Sequence, residues 1–414
     1  MKEELINKFL YFGYPVEKEY ELPFDLDLLS YKKMKSYSES ELVEEGSNVL
    51  KKVFREECSD IDLDKTHVIP LSGGLDSRAI LGGLIDEGLR DQIVAVTFGI
   101  PGTWDYELSS EVAKEANVRH ESLDLRKIKI TTDKLMDTLR NTFGSKYHFL
   151  IDLFYNRLIN KKFGKQSVYW PAYGDAFAGF DLSNKQKSFR DAKEKFAHKN
   201  NKTTNKFISH PEFDPLEVLP DEPLCEPTLL SFLDQLDFGI RQPKYIKPMI
   251  IQSEYETRTP FLNDEWIKFI LNVPIDFRKN EILYRKILMK TWPKLFDIPT
   301  ASNKGLPLKV SNHRWILWML YIEILRFAKR SFPYLPLPLD PGVNYIDFDE
   351  AIRSRLDYKE LVKNNLRDLK NRDIVDWIDF ESMWRDHLQR EENLANELLL
   401  LAILEINLKL EDLG

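Results

Sequence analysis

The run His67-Val68-Ile69-Pro70-Leu71 leads without a break into Ser72-Gly73-Gly74-Leu75-Asp76-Ser77, and no other segment constrains the fold as much. A short apolar stretch ending in two glycines reads as a buried strand followed by a tight turn. Ile80, Leu81, Leu84 and Ile85 then recur at helical spacing, and Gly88 closes the stripe. Strand, loop and helix follow in that order. The pattern then repeats: Ile93 to Phe98 is rich in β-formers, Leu108, Val112, Ala113 and Ala116 mark a helix face, and His120 to Leu125 reads as a further strand.

Such βαβαβ alternation predicts the α/β class, with a parallel, doubly wound sheet covered by helices on both faces. Ligands of these sheets sit outside the carboxyl ends of the strands, where the Ser-Gly-Gly turn falls. Another strand, Ser167 to Trp170, runs into Ala172-Tyr173-Gly174-Asp175 and brings a second Gly-Asp turn to that edge.

Two glycines at 73 and 74 let backbone N–H groups approach an anion closely. The hydroxyls of Ser72 and Ser77 add donors, and the following helix offers its positive N-terminus. Asp76 adds an oxygen ligand suited to Mg²⁺. No Gly-Lys-Ser/Thr follows, so a loop that transfers a terminal phosphoryl group is not indicated.

Composition narrows the partners. Of 414 residues, 43% are hydrophobic, enough for a large core, and 67 acidic against 59 basic residues leave a net charge of −8. With no global basic field, nucleic acid and anionic membranes are not expected partners; small charged metabolites fit better. Cys58 and Cys225 are the only cysteines and have neither CxxC spacing nor a histidine cluster, which argues against a disulfide framework and a zinc site. The acidic, Gly- and Pro-interrupted N-terminal stretch does not suit a signal peptide, and there is no run of about 18 apolar residues. A cytoplasmic protein is expected.

Along the chain, residues 1–65 read as a mixed leader ending in a helix from Leu42 to about Glu57, 66–330 as the main body, and 331–414 as a helical extension. The Lys-rich stretch within 183–222 reads as a solvated excursion or helix, and Ser331 to Pro338 as a Pro-rich strap. Arg119 and His120 are expected to cap the helix before the third strand. Thr97, Phe98 and Gly99, at a strand end, are expected to line an adenine pocket or the plain core.

Several segments carry a family likeness. Leu71 to Ile80, LSGGLDSRAI, resembles the pyrophosphatase loop of the asparagine synthetase family, which includes β-lactam synthetases and lasso-peptide cyclases. In the same order, residues 97–120 resemble the family's segment after the second strand, YGDAFAGFD (173–181) its Gly/Asp-rich loop, and ETRTPFLNDEW (256–266) its Glu-x-Arg-x-Pro-Phe-Leu motif. Tyr284 to Lys290 with IPTASNKGLPL (298–308) resemble the basic helix and lysine loop, and residues 383–405 the last helix.

The resemblance implies a sheet of the ATP-pyrophosphatase (PP-loop, adenine-nucleotide α-hydrolase) type, with ATP and Mg²⁺ as cofactors. Leu71, Ser72, Gly73, Gly74, Asp76, Ser77, Thr97, Phe98 and Gly174 would bind the nucleotide, and Asp76 and Asp175 the metal. Lys304, at the family's lysine position, would stabilise charge on the α-phosphate. Tyr173 and Glu256 stand where β-lactam synthetases place a Tyr–Glu pair that takes the nucleophile's proton. Packing beside the adenylate for Tyr173, and an ion pair with Arg258 for Glu256, are the alternative readings. The 173–181 loop is shorter than the family pattern, and Asn263 replaces the usual aspartate.

The implied reaction joins a small-molecule or peptide carboxylate to ammonia or an amine, with release of pyrophosphate and AMP. Glutamine-dependent members carry a cysteine directly after the initiator methionine; here Lys2 stands there, so a synthetase part without its own glutaminase is expected, with nitrogen from solution, substrate or a separate glutaminase partner. An intramolecular cyclase-type ligase and a nucleotide-binding regulator without turnover are the other readings.

Overall fold

The computed structural model describes residues 2–413 except 31–32, 63, 141–150, 180–185, 204, 252–253, 332–340 and 343–345. Most of the Pro-rich strap expected after Ser331 lies outside the described residues. After helix α1 (Lys2–Phe12) and helix α2 (Glu39–Glu57) comes the sheet region. It is built from β1 (His67–Pro70), α3 (Asp76–Asp86), β2 (Ile93–Gly99), α4 (Trp104–Ala116), β3 (Arg119–Asp124), β4 (Val168–Tyr169) and β5 (Glu256–Thr257).

The five strands form one sheet in the order β3-β2-β1-β4-β5, and every pairing is parallel. The expected α/β class and parallel sheet are present. From β1 the chain runs outward through β2 and β3, then returns to the other side of β1 with β4 and β5. That reversal puts a crevice between the carboxyl ends of β1 and β4, the place where open sheets of this order bind ligands.

Successive residues of each strand point to opposite layers. Ile69, Ile93 and Ala95 join the core under α2, α3 and α4, while Val68, Val94 and Val96 pack with Ile159 and Tyr169 on the other face. Burial on both faces explains why β1 and β2 read as nearly continuous apolar runs, whereas the edge strand β3 is polar and partly exposed. Each such aliphatic side chain contributes about 1.5–3 kcal/mol of transfer free energy.

The first 57 residues, expected as a leader, supply core. Phe9 and Leu10 are fully buried against the C-terminal helix Ala395–Asp412, and Leu50, Val53 and Phe54 of α2 pack under α3. The C-terminal segment is helical as expected, with Leu356–Arg372 and Ala395–Asp412 sharing one core. The Lys-rich stretch does contain a helix, Phe189–Asn200 capped by Ser188, but it is not simply solvated: it buries Ala192, Phe196 and Ala197 against the Tyr11–Tyr14 segment. Its lysines hide a narrow apolar stripe.

His387 in the C-terminal part is buried, with Nδ1 accepting the Leu394 N–H at 3.1 Å. Burial, with help from Arg353, pushes its pKa down to about 4, so it is neutral in the fold. Because protonation then favours the unfolded chain, its contribution is complete above about pH 6.5 and is lost as pH falls from there toward 4, at up to about 3 kcal/mol. Urea midpoints of wild type and His387→Asn, whose amide oxygen can still accept from Leu394, should converge across that window. Curves that stay parallel would remove His387 as the cause.

Candidate functional site

The Ser72–Ser77 loop leaves β1 at the crevice and is tied down from several sides. Leu71 N–H donates to the Val96 carbonyl at 2.8 Å, which extends the β1–β2 pairing to the loop's first residue. Within the loop, Ser77 Oγ accepts from Ser72 N–H at 3.1 Å, and Ser72 Oγ accepts from Gly74 N–H at 3.2 Å. The Gly73 N–H donates to Asp105 Oδ1 at 2.9 Å, from the first turn of α4. The donors expected for an anion are therefore held by the loop's own hydroxyls and by one carboxylate, and phosphate would exchange with them. Asp105 is mostly buried, and loss of solvation raises its pKa.

Asp76 opens α3 and bridges both halves of the crevice. Its Oδ2 accepts from the Gly174 N–H at 2.8 Å and its Oδ1 from the Tyr284 hydroxyl at 2.7 Å. A β-carbon on residue 174 would lie 2.8 Å from the Asp76 Cγ and 2.7 Å from the Tyr284 oxygen, so only glycine fits there. Mg²⁺ is usually held by one or two carboxylates with waters and substrate phosphates, a demand Asp76 can meet. Asp175 is the first residue of the short helix Asp175–Ala178, at the same edge; its side chain lies outside the described residues. Among the described residues, no three His, Cys, Asp or Glu side chains gather into a metal cage.

The lysine loop meets this site through its backbone. Ala301 N–H donates to the Gly73 carbonyl at 2.8 Å, and Thr300 and Leu306 pair across a tight turn. Lys304 sits in that turn in the left-handed region, φ 57°, with its carbonyl accepting Trp318 Nε1–H at 2.6 Å and its side chain exposed. The next residue must be glycine, since Gly305 has φ 76° and a β-carbon there would strike the Trp104 ring at 2.3 Å.

Arg78, to which the sequence reading gave no role, joins the two loops. The side chain is fully buried and donates to the carbonyls of Gly73, Leu295, Ile298 and Pro299 at 2.5–3.2 Å. Burial pulls its pKa down to about 10, still a cation at neutral pH. An arginine interrupting the apolar stripe of α3 was the available signal. Asp105 and Tyr284 lie in segments that carry the family resemblance but received no role, because an acid in a first helical turn and a tyrosine in an apolar helix are both ordinary.

Thr97 and Phe98 line a cavity of about 180 Å³ together with Leu71, Ser72, Asp105, Asn156 and Ala172. That is smaller than the ~300–1,000 Å³ of a typical whole-ligand pocket and suits a ring-sized group. A larger cavity, about 640 Å³, lies beyond the edge strand β3, between Arg126–Asp133 and Arg355–Asn364. The Thr97 hydroxyl bonds the Leu71 carbonyl and Ser109, and shares a 2.9 Å hydrogen bond with His120 Nε2. His120 and Arg119 therefore belong to β3 and cap no helix; Asn117, at φ 52°, ends α4.

Tyr173 is buried beside Phe177, within the core under the crevice. Glu256 is placed elsewhere. It begins β5 in register with Val168, which pairs with His67, so it stands at the strand starts, about 13 Å below Leu71 at ~3.3 Å per residue. There it accepts Lys65 Nζ at 2.7 Å and faces Arg258 at 3.5 Å, and the Lys65 bond lowers its pKa. The structure thus does not bring Glu256 to the loop edge with Tyr173, and the ion-pair alternative describes its surroundings. Glu256→Gln is expected to cost at most about 1 kcal/mol of stability, as for other partly exposed ion pairs. Catalysis should change less than about threefold; a drop of about a hundredfold would restore Glu256 to the chemistry.

Neither a protein-family model nor a curated protein matches the chain. The chain is an α/β protein with a five-stranded parallel sheet, whose glycine loop and lysine loop meet at the strand ends.

Proposed function

We propose that this chain is an ATP-dependent carbon–nitrogen ligase of the asparagine synthetase kind, built on a sheet of the ATP-pyrophosphatase type. A substrate carboxylate oxygen attacks the α-phosphorus of ATP, the bond to the β-phosphate oxygen breaks, and pyrophosphate leaves. Ammonia or an amine then attacks the acyl carbon, loses a proton, and AMP departs. The observation that carries this reading is the latch between the two loops, Ala301 N–H to the Gly73 carbonyl with Arg78 beneath. It brings the peptide segment bearing Lys304 to a glycine loop at the crevice of a parallel sheet.

In this scheme the chain's own groups have separate tasks. The N–H groups of Gly73 and Gly74, with the Ser72 and Ser77 hydroxyls, receive the pyrophosphate oxygens once Asp105 yields Gly73. Mg²⁺, held by Asp76 and Asp175, would offset charge on the phosphates. The cavity at Thr97 and Phe98 receives the adenine ring. Lys304 meets the charge that develops on the α-phosphate.

Two observations favour a second reading, a nucleotide-binding protein without turnover. The Gly73 N–H is already taken by a carboxylate, and Glu256 stands away from the crevice. Exchange of labelled pyrophosphate into ATP across a panel of carboxylates separates the two. The ligase requires carboxylate-dependent exchange and AMP as product. ADP with phosphate, or tight ATP binding with no exchange for any acid, rejects it.

A further inference from the structure

The helix Asn312–Ser331 is apolar on both sides. Toward the body it turns Trp318, Met319, Ile322 and Leu325, and Ile322 is only 1% exposed. Away from the body it turns Ile316, Leu317, Leu320, Tyr321, Ile324 and Phe327, each between 51% and 69% exposed. At about 100° per residue these six span an arc of about 140° centred opposite Ile322. A helix with two apolar faces is normally covered on both.

The exposed area is large enough to name the covering. The six side chains, half to two-thirds exposed at roughly 150–200 Å² each, present on the order of 650 Å². The largest apolar patch on a typical monomer is about 300–600 Å², whereas a standard interface takes about 800 Å² from each partner. Leu317, Leu320, Ile324 and Phe327 also keep the three-then-four spacing of a helix–helix seam. Beside that seam Glu323 is paired with Arg326 at 3.2 Å, so the charge at its edge is matched within the helix itself.

We propose that this face is the docking surface for a second copy of the chain, the two helices packing against each other about a two-fold axis. The same patch then serves both partners, as an isologous contact requires. The contact also bears on the crevice, because Trp318, on the inner side of this helix, holds the Lys304 carbonyl. The proposal itself is independent of the reaction assigned above.

Sedimentation velocity and light scattering on the full chain should show a species of twice 48.8 kDa at micromolar concentration. The double variant Leu317→Lys/Ile324→Lys should be monomeric, with an unchanged circular dichroism spectrum, since both side chains are exposed in the single chain. Hydrogen exchange on the wild type provides a check that needs no variant: amides of Leu317–Phe327 should lose protection on dilution from micromolar to nanomolar protein. A wild-type monomer at micromolar concentration overturns the proposal, as does a dimer unaffected by the two lysines. Protection independent of concentration would mean the chain covers the face itself, and monomers bound to lipid vesicles would mean a membrane does; either result also overturns it.

Discussion

Replacing Lys304 with methionine should abolish carboxylate-dependent pyrophosphate exchange, by about 10²–10³-fold or more, while leaving ATP binding and folding nearly intact. The separation follows from how the residue is held. Its backbone is fixed by the Lys304 N–H to the Ala301 carbonyl, by Trp318 on its own carbonyl, and by the Ala301–Gly73 bond one turn earlier. None of these uses the side chain. Methionine keeps much of the length and loses the charge, so stability should change by no more than about 0.5 kcal/mol, as at other exposed positions. The unusual left-handed backbone at a non-glycine residue, worth of order 1–3 kcal/mol, is strain of the kind often found at functional positions. Single-turnover formation of the adenylate, measured beside equilibrium ATP binding, provides the test. A variant exchanging pyrophosphate within threefold of wild type would take Lys304 out of the mechanism.

Arg78→Met should have the largest effect on stability, about 3–5 kcal/mol, with a fall in Tm of about 3–6 °C. The planar guanidinium satisfies the carbonyls of Gly73, Leu295, Ile298 and Pro299 from one buried point. Methionine fills much of the volume and leaves those acceptors without that donor. Lysine restores the charge but not the fork, so Arg78→Lys should recover only part of the loss. Because the same side chain ties the glycine loop to the residues before the lysine loop, activity should fall more steeply than stability alone dictates at a temperature where both variants are folded. A melting curve unchanged by Arg78→Met would show that these bonds do not hold the loops together.

Much of the sheet was legible locally. Strands His67–Pro70 and Ile93–Gly99 lie within a residue or two of the apolar runs that marked them, since burial on both faces leaves an uninterrupted hydrophobic signature. The helix Phe189–Asn200 was harder to read. Its buried stripe is one small residue, one aromatic and another small residue among lysines, and the charge pattern dominated. Arg119 and His120 were misread for a related reason: their polarity suggested a helix end, but a partner in the next strand, Thr97, accounts for the histidine.

For the candidate site, the sequence by itself determined the glycine loop with Asp76 and its place between a strand and a helix, which periodicity and turn chemistry report directly from neighbouring residues. Roles for Asp175, Glu256 and Lys304 came only through the family resemblance. Only the tertiary structure decided which of them meet. Asp76 and Tyr284 join across 208 residues, Arg78 reaches a carbonyl 221 residues away, and Glu256, which no local rule could place, is held at the far end of the strands by the register of β5 on β4. Contacts of that range depend on strand order and on where a buried charge finds its acceptors, and neither leaves a repeating pattern along the chain.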